Sequence, residues 1–272
     1  MAIDRPGPAR AIAVAALALG LLGGCALFAD EPPAAPKSAQ AVPKDNISAL
    51  MRVAAATRAK GDLKVAIALY RRAHDLAPDR VEPLNHLGFT LREAGAPAQA
   101  VEAFRAALRL APGDGDALRG LGLALLAQNL PEPAVAPLEA ALQVAPDART
   151  YNALGVALDS LKRHARAQTV YREGLGVDPD NLNLKSNLGL SLALSGQNGE
   201  AIVLLEQVVQ SPNATANHRQ NLALAYGLAG REDDARRLGL SDLDQAAVAR
   251  NLATYRRLRE VADTAAEGAA AE

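Results

Sequence analysis

From Ile47 onward, small and apolar residues recur in a fixed order with a period of 33 or 34 residues. Pro78, Pro112 and Pro146 stand 34 apart, and Pro179 follows at 33. In step with them run Gly88, Gly122, Gly155 and Gly189, with Ala223 on the next rung. A third column holds Ala66, Ala100, Ala134, Ala167, Ala201 and Ala235, and a fourth, four places on, holds Tyr70, Phe104, Leu138, Tyr171 and Leu205. Four columns in one register predict a repeated unit of two helices. Pairs such as Leu87-Gly88 and Leu121-Gly122 set a notch beside a knob on the first helix, where a second helix can come close. The alanines make the matching notch on the second helix. The large residue one helical turn later shares their face and fills the groove between the helices. Proline then stops the second helix, and Gly61, Gly95 and Gly196 mark the turn inside their units.

This period and unit resemble the tetratricopeptide repeat. The resemblance covers Ile47 to Arg237, with five clear units and a sixth weaker one. It implies an all-α fold, a right-handed superhelical solenoid of helix-turn-helix repeats. Some positions depart from the pattern. Asn129 and Lys162 stand where the turn glycine is expected, and Gly174 replaces an alanine of its column. Pro131 and Pro133 bracket the start of one second helix; the first suits an opening turn, and the second predicts a late start. The sixth unit lacks its closing proline and runs into Ser241, an expected N-cap. Asp242 to Val261 then reads as an amphipathic helix with Val248, Leu252, Tyr255 and Leu258 on one side, a cap for the last apolar face. The chain therefore divides into a signal peptide (1–24), a tether (25–45), a solenoid (46–240), a capping helix (241–263) and a disordered tail (264–272).

Composition agrees with close-packed helices. Half of the residues are hydrophobic, yet aromatics are 3% and Trp is absent, so the apolar mass is Ala and Leu. The net charge of −1 is spread along the chain, which excludes the concentrated positive field that nucleic acid requires. The one cysteine changes the picture at the N-terminus. Arg5 and Arg10 precede an apolar run from Ala11 to Leu22, too short to span a bilayer, which ends in Leu22-Gly23-Gly24-Cys25. This resembles a bacterial lipobox and implies that Cys25 receives a lipid; an ordinary secretory signal with an incidental cysteine is the alternative. No second cysteine exists for an intramolecular disulfide. Ala26 in place of aspartate implies the outer membrane, on its periplasmic face. Pro32, Pro33, Pro36 and Pro43 then predict an extended tether.

In the fold that the resemblance implies, the first helix of each unit lines the concave side, with its second, fifth and ninth residues pointing inward. Position five reads Asn85, Arg119, Asn152, Ser186 and Gln220, and position nine reads Phe89, Leu123, Val156, Leu190 and Leu224. Position two reads Glu82, Asp116, Arg149, Asn183 and Asn217. Amides can hydrogen-bond an extended backbone while the apolar column accepts side chains, so the two columns are a candidate peptide groove. The alternative is a solvated amide row beside residues buried between helices. Chemistry is not indicated. His74, His86, His164 and His218 are isolated and read as surface or groove residues, so no metal site is predicted. Gly113-Asp114-Gly115-Asp116 follows a helix-ending proline and lacks a phosphate loop's Lys-Ser/Thr ending. Ser160 and Ser195 lack a nucleophile elbow. No catalytic residue, cofactor or small-molecule substrate is expected.

The run from Asn187 to Gly196 (NLGLSLALSG), Ala201-Ile202, the run from His218 to Gly230 (HRQNLALAYGLAG) and Asn251-Leu252 resemble the TadD family, the lipoproteins of the tight-adherence (Flp pilus) assembly system. Lipobox, short proline-rich tether and solenoid are shared with that family. The resemblance implies a pilotin-like role: helping the outer-membrane secretin, or another Flp pilus protein, to localise or assemble. A scaffold for another envelope machine, such as a type IV pilus, barrel-assembly or wall-remodelling complex, is the alternative, and an enzyme or its accessory subunit is a third reading.

Overall fold

The computed structural model describes residues 47–270; the expected signal peptide, the lipidation site Cys25 and the tether lie outside them. Every element among the described residues is an α-helix. The helices fall into six pairs: α1 (Ile47–Ala59) with α2 (Leu63–Leu76), α3 (Val81–Glu93) with α4 (Pro97–Leu110), and α5 (Gly115–Ala127) with α6 (Pro131–Val144). The last three are α7 (Ala148–Ser160) with α8 (His164–Val177), α9 (Leu182–Leu194) with α10 (Asn198–Val209), and α11 (Ala216–Leu228) with α12 (Glu232–Gly239); α13 (Gln245–Ala270) closes the series. Each helix packs on the next, and the first helices of successive pairs also touch, from α3 through α11 to α13. The fold is an all-α repeat solenoid.

The glycine column explains the pairing. A Cβ added to Gly88 would lie 2.7 Å from the Phe104 ring, and one on Gly189 would lie 2.6 Å from Leu205. Gly122 and Gly155 meet Leu138 and Tyr171 more tightly still. These four large side chains are fully buried, so each unit seats one bulky residue in a notch that only hydrogen leaves open. Gly120 of α5 closes on the same Phe104 ring from the following unit. Gly174 has a comparable cause, because a Cβ there would press on Tyr151 at 2.7 Å.

The turn between paired helices requires a left-handed residue. Gly61, Gly95, Gly196 and Gly230 have φ between +74° and +83°, and Asn129 and Lys162 take the same place at φ +59°. Asp62, Asp114, Asp147 and Asn181 cap their helices by accepting backbone N–H bonds.

Three expectations are corrected. The helix α6 begins on schedule at Pro131, because Pro133 falls at the third position, where the N–H has no intrahelical acceptor to lose. Ser241 does not cap the final helix; its hydroxyl donates to the Leu238 carbonyl at 2.6 Å. Asp244 caps instead, accepting from the Ala247 N–H at 2.7 Å, so α13 starts at Gln245. The helix continues to Ala270, where a disordered tail was expected, in keeping with the high helix propensity of its alanine-rich end. Val248 and Leu252 are buried against α11 and α12 as a cap requires, and Tyr255 occupies the notch at Gly227.

Two substitutions in the fourth unit should have opposite signs in urea-unfolding experiments. Gly155→Ala forces a methyl group into the Tyr171 ring and should destabilise by about 2 kcal/mol despite alanine's better helix propensity. Lys162→Gly relieves a left-handed β-carbon and should stabilise by about 0.5–1 kcal/mol.

Candidate partner-binding face

Because the first helices stack side by side, their fifth and ninth positions form adjacent rows. Phe89, Leu123, Leu190 and Leu224 are half-buried in the ninth row, and Val156 is its most exposed member at 36%. The fifth row is largely tied between units. Asn85 is buried and donates to Asp114 at 2.7 Å. Arg119 pairs with Asp116 at 2.6 Å, lies 3.8 Å from Asp147, and stands 5.7 Å over the Phe89 ring. The Asn152 side-chain oxygen accepts from Asn187 at 2.8 Å, and the buried Ser186 hydroxyl accepts from Asn221 at 2.9 Å. Gln220 is half-buried on α11. In the second row Glu82, Asp116, Arg149, Asn183 and Asn217 are exposed.

Two features of this face were missed in the sequence. Asn187 and Asn221, both sixth residues of their helices, carry the bridges to the preceding unit, and their 34-residue spacing was the available signal. The second feature is a division of charge. The fifth and ninth rows on α7, α9 and α11 are uncharged (Asn152, Val156, Ser186, Leu190, Gln220, Leu224), whereas the α3–α5 region holds the Arg119 ion pairs.

A polar cluster crosses the junction of the fourth and fifth units. The Asp159 carboxylate accepts from the Tyr171 hydroxyl at 3.0 Å and the Ser191 hydroxyl at 2.6 Å, and lies 2.8 Å from His164 Nδ1. Gln168 donates to Ser195 at 2.9 Å within the same junction. Serine, histidine and aspartate are thus together, but both Ser191 and His164 engage the carboxylate, and Ser191 is completely buried. No serine–histidine relay is formed, and the cluster acts as a bridge between units. The Tyr171 phenol is held well above its ordinary pKa by burial, and then by the Asp159 charge. Tyr226, at the next junction, is pushed up to about 12 by burial and by its bond to Glu206. Of the histidines expected at the surface or in the groove, His218 is buried and His74, His86 and His164 are half-buried. His218 is buried, its Nδ1 accepts the Thr215 N–H at 3.1 Å, and burial followed by the Arg219 cation lowers its pKa. His86 stacks on Tyr70 at 5.3 Å and is lowered mainly by burial. Among the described residues no group of three or more His, Cys, Asp or Glu is placed to hold a metal ion.

Tetratricopeptide repeat family models match residues 91–157 and 148–181. No curated protein matches the chain. Among solved structures, MamA is 25% identical over 62% of this chain and 92% of its own, with a TM-score of 0.56. The pilF protein of Pseudomonas aeruginosa is 19% identical over 73% of this chain and 91% of its own, with a TM-score of 0.62. YrrB, described as a TPR protein with an unusual peptide-binding site, is 17% identical over 72% and 97%, with a TM-score of 0.52. The last two likenesses show the fold alone. Residues 91–181 thus match tetratricopeptide repeats, and the fold around them is an all-α repeat solenoid, a scaffold consistent with binding protein partners.

Removing the Asp159 carboxylate with Asp159→Ala strands Tyr171 and Ser191 and should destabilise by about 2–3 kcal/mol in chemical denaturation. The pH dependence follows from the phenols. A tyrosine whose folded pKa exceeds its unfolded value contributes stability that is complete below about pH 10 and is lost as pH rises toward the folded value. In an alkaline titration, part of the tyrosinate absorbance should therefore appear only above pH 10, together with loss of helical circular dichroism.

Proposed function

We propose that this chain is a lipid-anchored, non-catalytic periplasmic scaffold of the Flp (tight-adherence) pilus assembly system. Its first-helix face holds an extended segment of a partner protein, the outer-membrane secretin foremost. The observation that carries the binding role is the uncharged strip across α7, α9 and α11, where Asn152 stands beside Val156, Leu190 and Leu224, in line with the buried Ser186 and the half-buried Gln220. The Asn152 oxygen accepts from Asn187 on the neighbouring helix, so Asn152 keeps its amide N–H donors for an extended backbone. The aliphatic row receives the segment's side chains. YrrB supports this reading, in that the same fold there is described as having a peptide-binding site.

The anchor rests on Leu22-Gly23-Gly24-Cys25, and the pilus assignment on the resemblance of Asn187 to Gly196 and His218 to Gly230 to the TadD family. Mechanistically the scaffold needs neither metal nor cofactor. A doubly or triply acylated Cys25 holds the solenoid stably at the outer membrane. A partner confined to the same membrane then meets the face at high effective concentration, and assembly is favoured without a chemical step.

The test follows the secretin in cells with wild-type protein, Cys25→Ser, or Val156→Glu, the last changing the most exposed rung of the apolar row. Membrane fractions and unboiled gels should show secretin multimers lost or left in the inner membrane in both variants, with the scaffold present at wild-type level. Normal multimers in the outer membrane of both strains would overturn the proposal.

A further inference from the structure

The last first helix is fastened by a titratable group. α11 opens with a capping box in which Thr215 is the N-cap and His218 the third helical residue. The Thr215 side chain accepts the His218 N–H, and His218 Nδ1 accepts the Thr215 N–H at 3.1 Å. Glu or Gln ordinarily supplies that second acceptor. A backbone N–H can only donate, so the bond fixes the neutral tautomer, with the lone pair on Nδ1 and the proton on Nε2. Nε2 then donates to Asn183 Oδ1 of α9, 3.3 Å away. One buried ring thus caps α11 and ties it to the preceding unit.

The surroundings of the ring disfavour a cation. A helix N-terminus carries positive partial charge, and Arg219 is the next residue. Among the described residues His164 has a carboxylate partner, whereas His218 has none. The charged groups of the elements packed on α11 are engaged elsewhere or exposed. Lys185 of α9 is taken by Asp180 at 3.4 Å, Glu200 of α10 by Arg172 at 3.4 Å, and Glu206 of α10 by the Tyr226 hydroxyl at 2.7 Å. Glu232 and Asp234 of α12 pair with Arg256 and Arg231, and Asp242 in the following linker is taken by Arg219 at 2.8 Å. Arg259 of α13 reaches the far end of α11 at the Gly227 carbonyl, while Asp233, Arg236, Arg237, Arg250 and Arg257 are exposed. Burial, and then the Arg219 cation, hold the imidazole below its ordinary pKa.

We infer that His218 is a pH-sensitive latch, whose protonation at Nδ1 undoes the capping box and loosens the first turns of α11 from α9. A protonated Nδ1 is a donor facing the Thr215 N–H, so two donors meet where a hydrogen bond was. A buried cation without an anion must also recover its hydration. The ring therefore moves toward water, and its bond to Asn183 goes with it. Linkage gives the direction. A histidine whose folded pKa lies below its unfolded value contributes stability that is complete above about pH 6.5 and is lost as pH falls toward the folded value. The Arg219–Asp242 pair does not share this response, because Arg219 holds the Asp242 carboxyl below its usual range and keeps it ionised in mild acid. The loosened turn leads into Gln220, the last member of the fifth row. That consequence for binding rests on the proposed role of the first-helix face, whereas the latch itself does not.

The test uses the full chain without a partner, so its outcome is separate from whether the face binds one. Followed by NMR, the wild-type His218 imidazole should titrate below the ordinary value of about 6.5. Between about pH 7.5 and about pH 5, amide protection from hydrogen exchange, corrected for intrinsic rates, should fall at least about threefold more in α11 than in α7. His218→Gln supplies a capping-box acceptor that does not titrate and should abolish this difference. His86→Gln, which removes another half-buried histidine of lowered pKa on α3, should leave it unchanged. A His218 ring that titrates at or above about 6.5 would overturn the inference without recourse to any variant. So would an acid-dependent loss of protection in α11 that His218→Gln retains or His86→Gln removes.

Discussion

Everything in this solenoid depends on one large side chain of a second helix reaching a glycine of its paired first helix. Phe104 at Gly88, Leu138 at Gly122, Tyr171 at Gly155 and Leu205 at Gly189 are variants of the same contact. Full burial of such a side chain contributes about 1.5–3 kcal/mol, and the glycine lets the two backbones approach closely enough to obtain it. The contact also fixes which face of each first helix remains for solvent. With the seventh, eighth and eleventh residues turned inward, the second, fifth and ninth lie on the other side. The position of the candidate face is therefore a consequence of the packing.

Interfaces between units use a different vocabulary. The Asn152–Asn187 and Ser186–Asn221 bonds and the Asp159 cluster place directed hydrogen bonds where aliphatic contacts alone would tolerate sliding. A buried donor or acceptor left without a partner costs about 1–3 kcal/mol, so these bonds specify register. Their concentration between α7 and α11 coincides with the uncharged strip of the first-helix face. Amides that are already oriented by a neighbouring helix lose little rotamer entropy on meeting a ligand backbone. The first-helix rows combine amides with half-buried aliphatic residues and suit a chain whose backbone must be satisfied.

Much of the fold was legible in the chain itself, because a repeat states each structural requirement several times. Four columns in register announced the units, whereas Asn129 and Lys162 read as departures from the turn glycine and only the structure showed them in the same left-handed turn. The cap residues Val248, Leu252 and Tyr255 followed from helical period alone. The positions of the candidate face were legible too, since they are offsets within a unit. What the side chains do there was not. Whether Asn152 faces a ligand or a neighbouring helix depends on a residue 35 positions away, and His164, Tyr171 and Ser191 meet at Asp159 only after two units stack. Helix limits were also settled in three dimensions. Pro133 falls in the first turn of α6 and Pro137 inside it, yet the helix forms at full length with Ala134, Val135 and Leu138 buried on its neighbours. Local pattern thus determined where each unit lies, because propensity and period act over a few residues. Tertiary structure decided which polar groups are spent inside the solenoid and which are left for a partner, because that balance is struck only between residues one repeat apart.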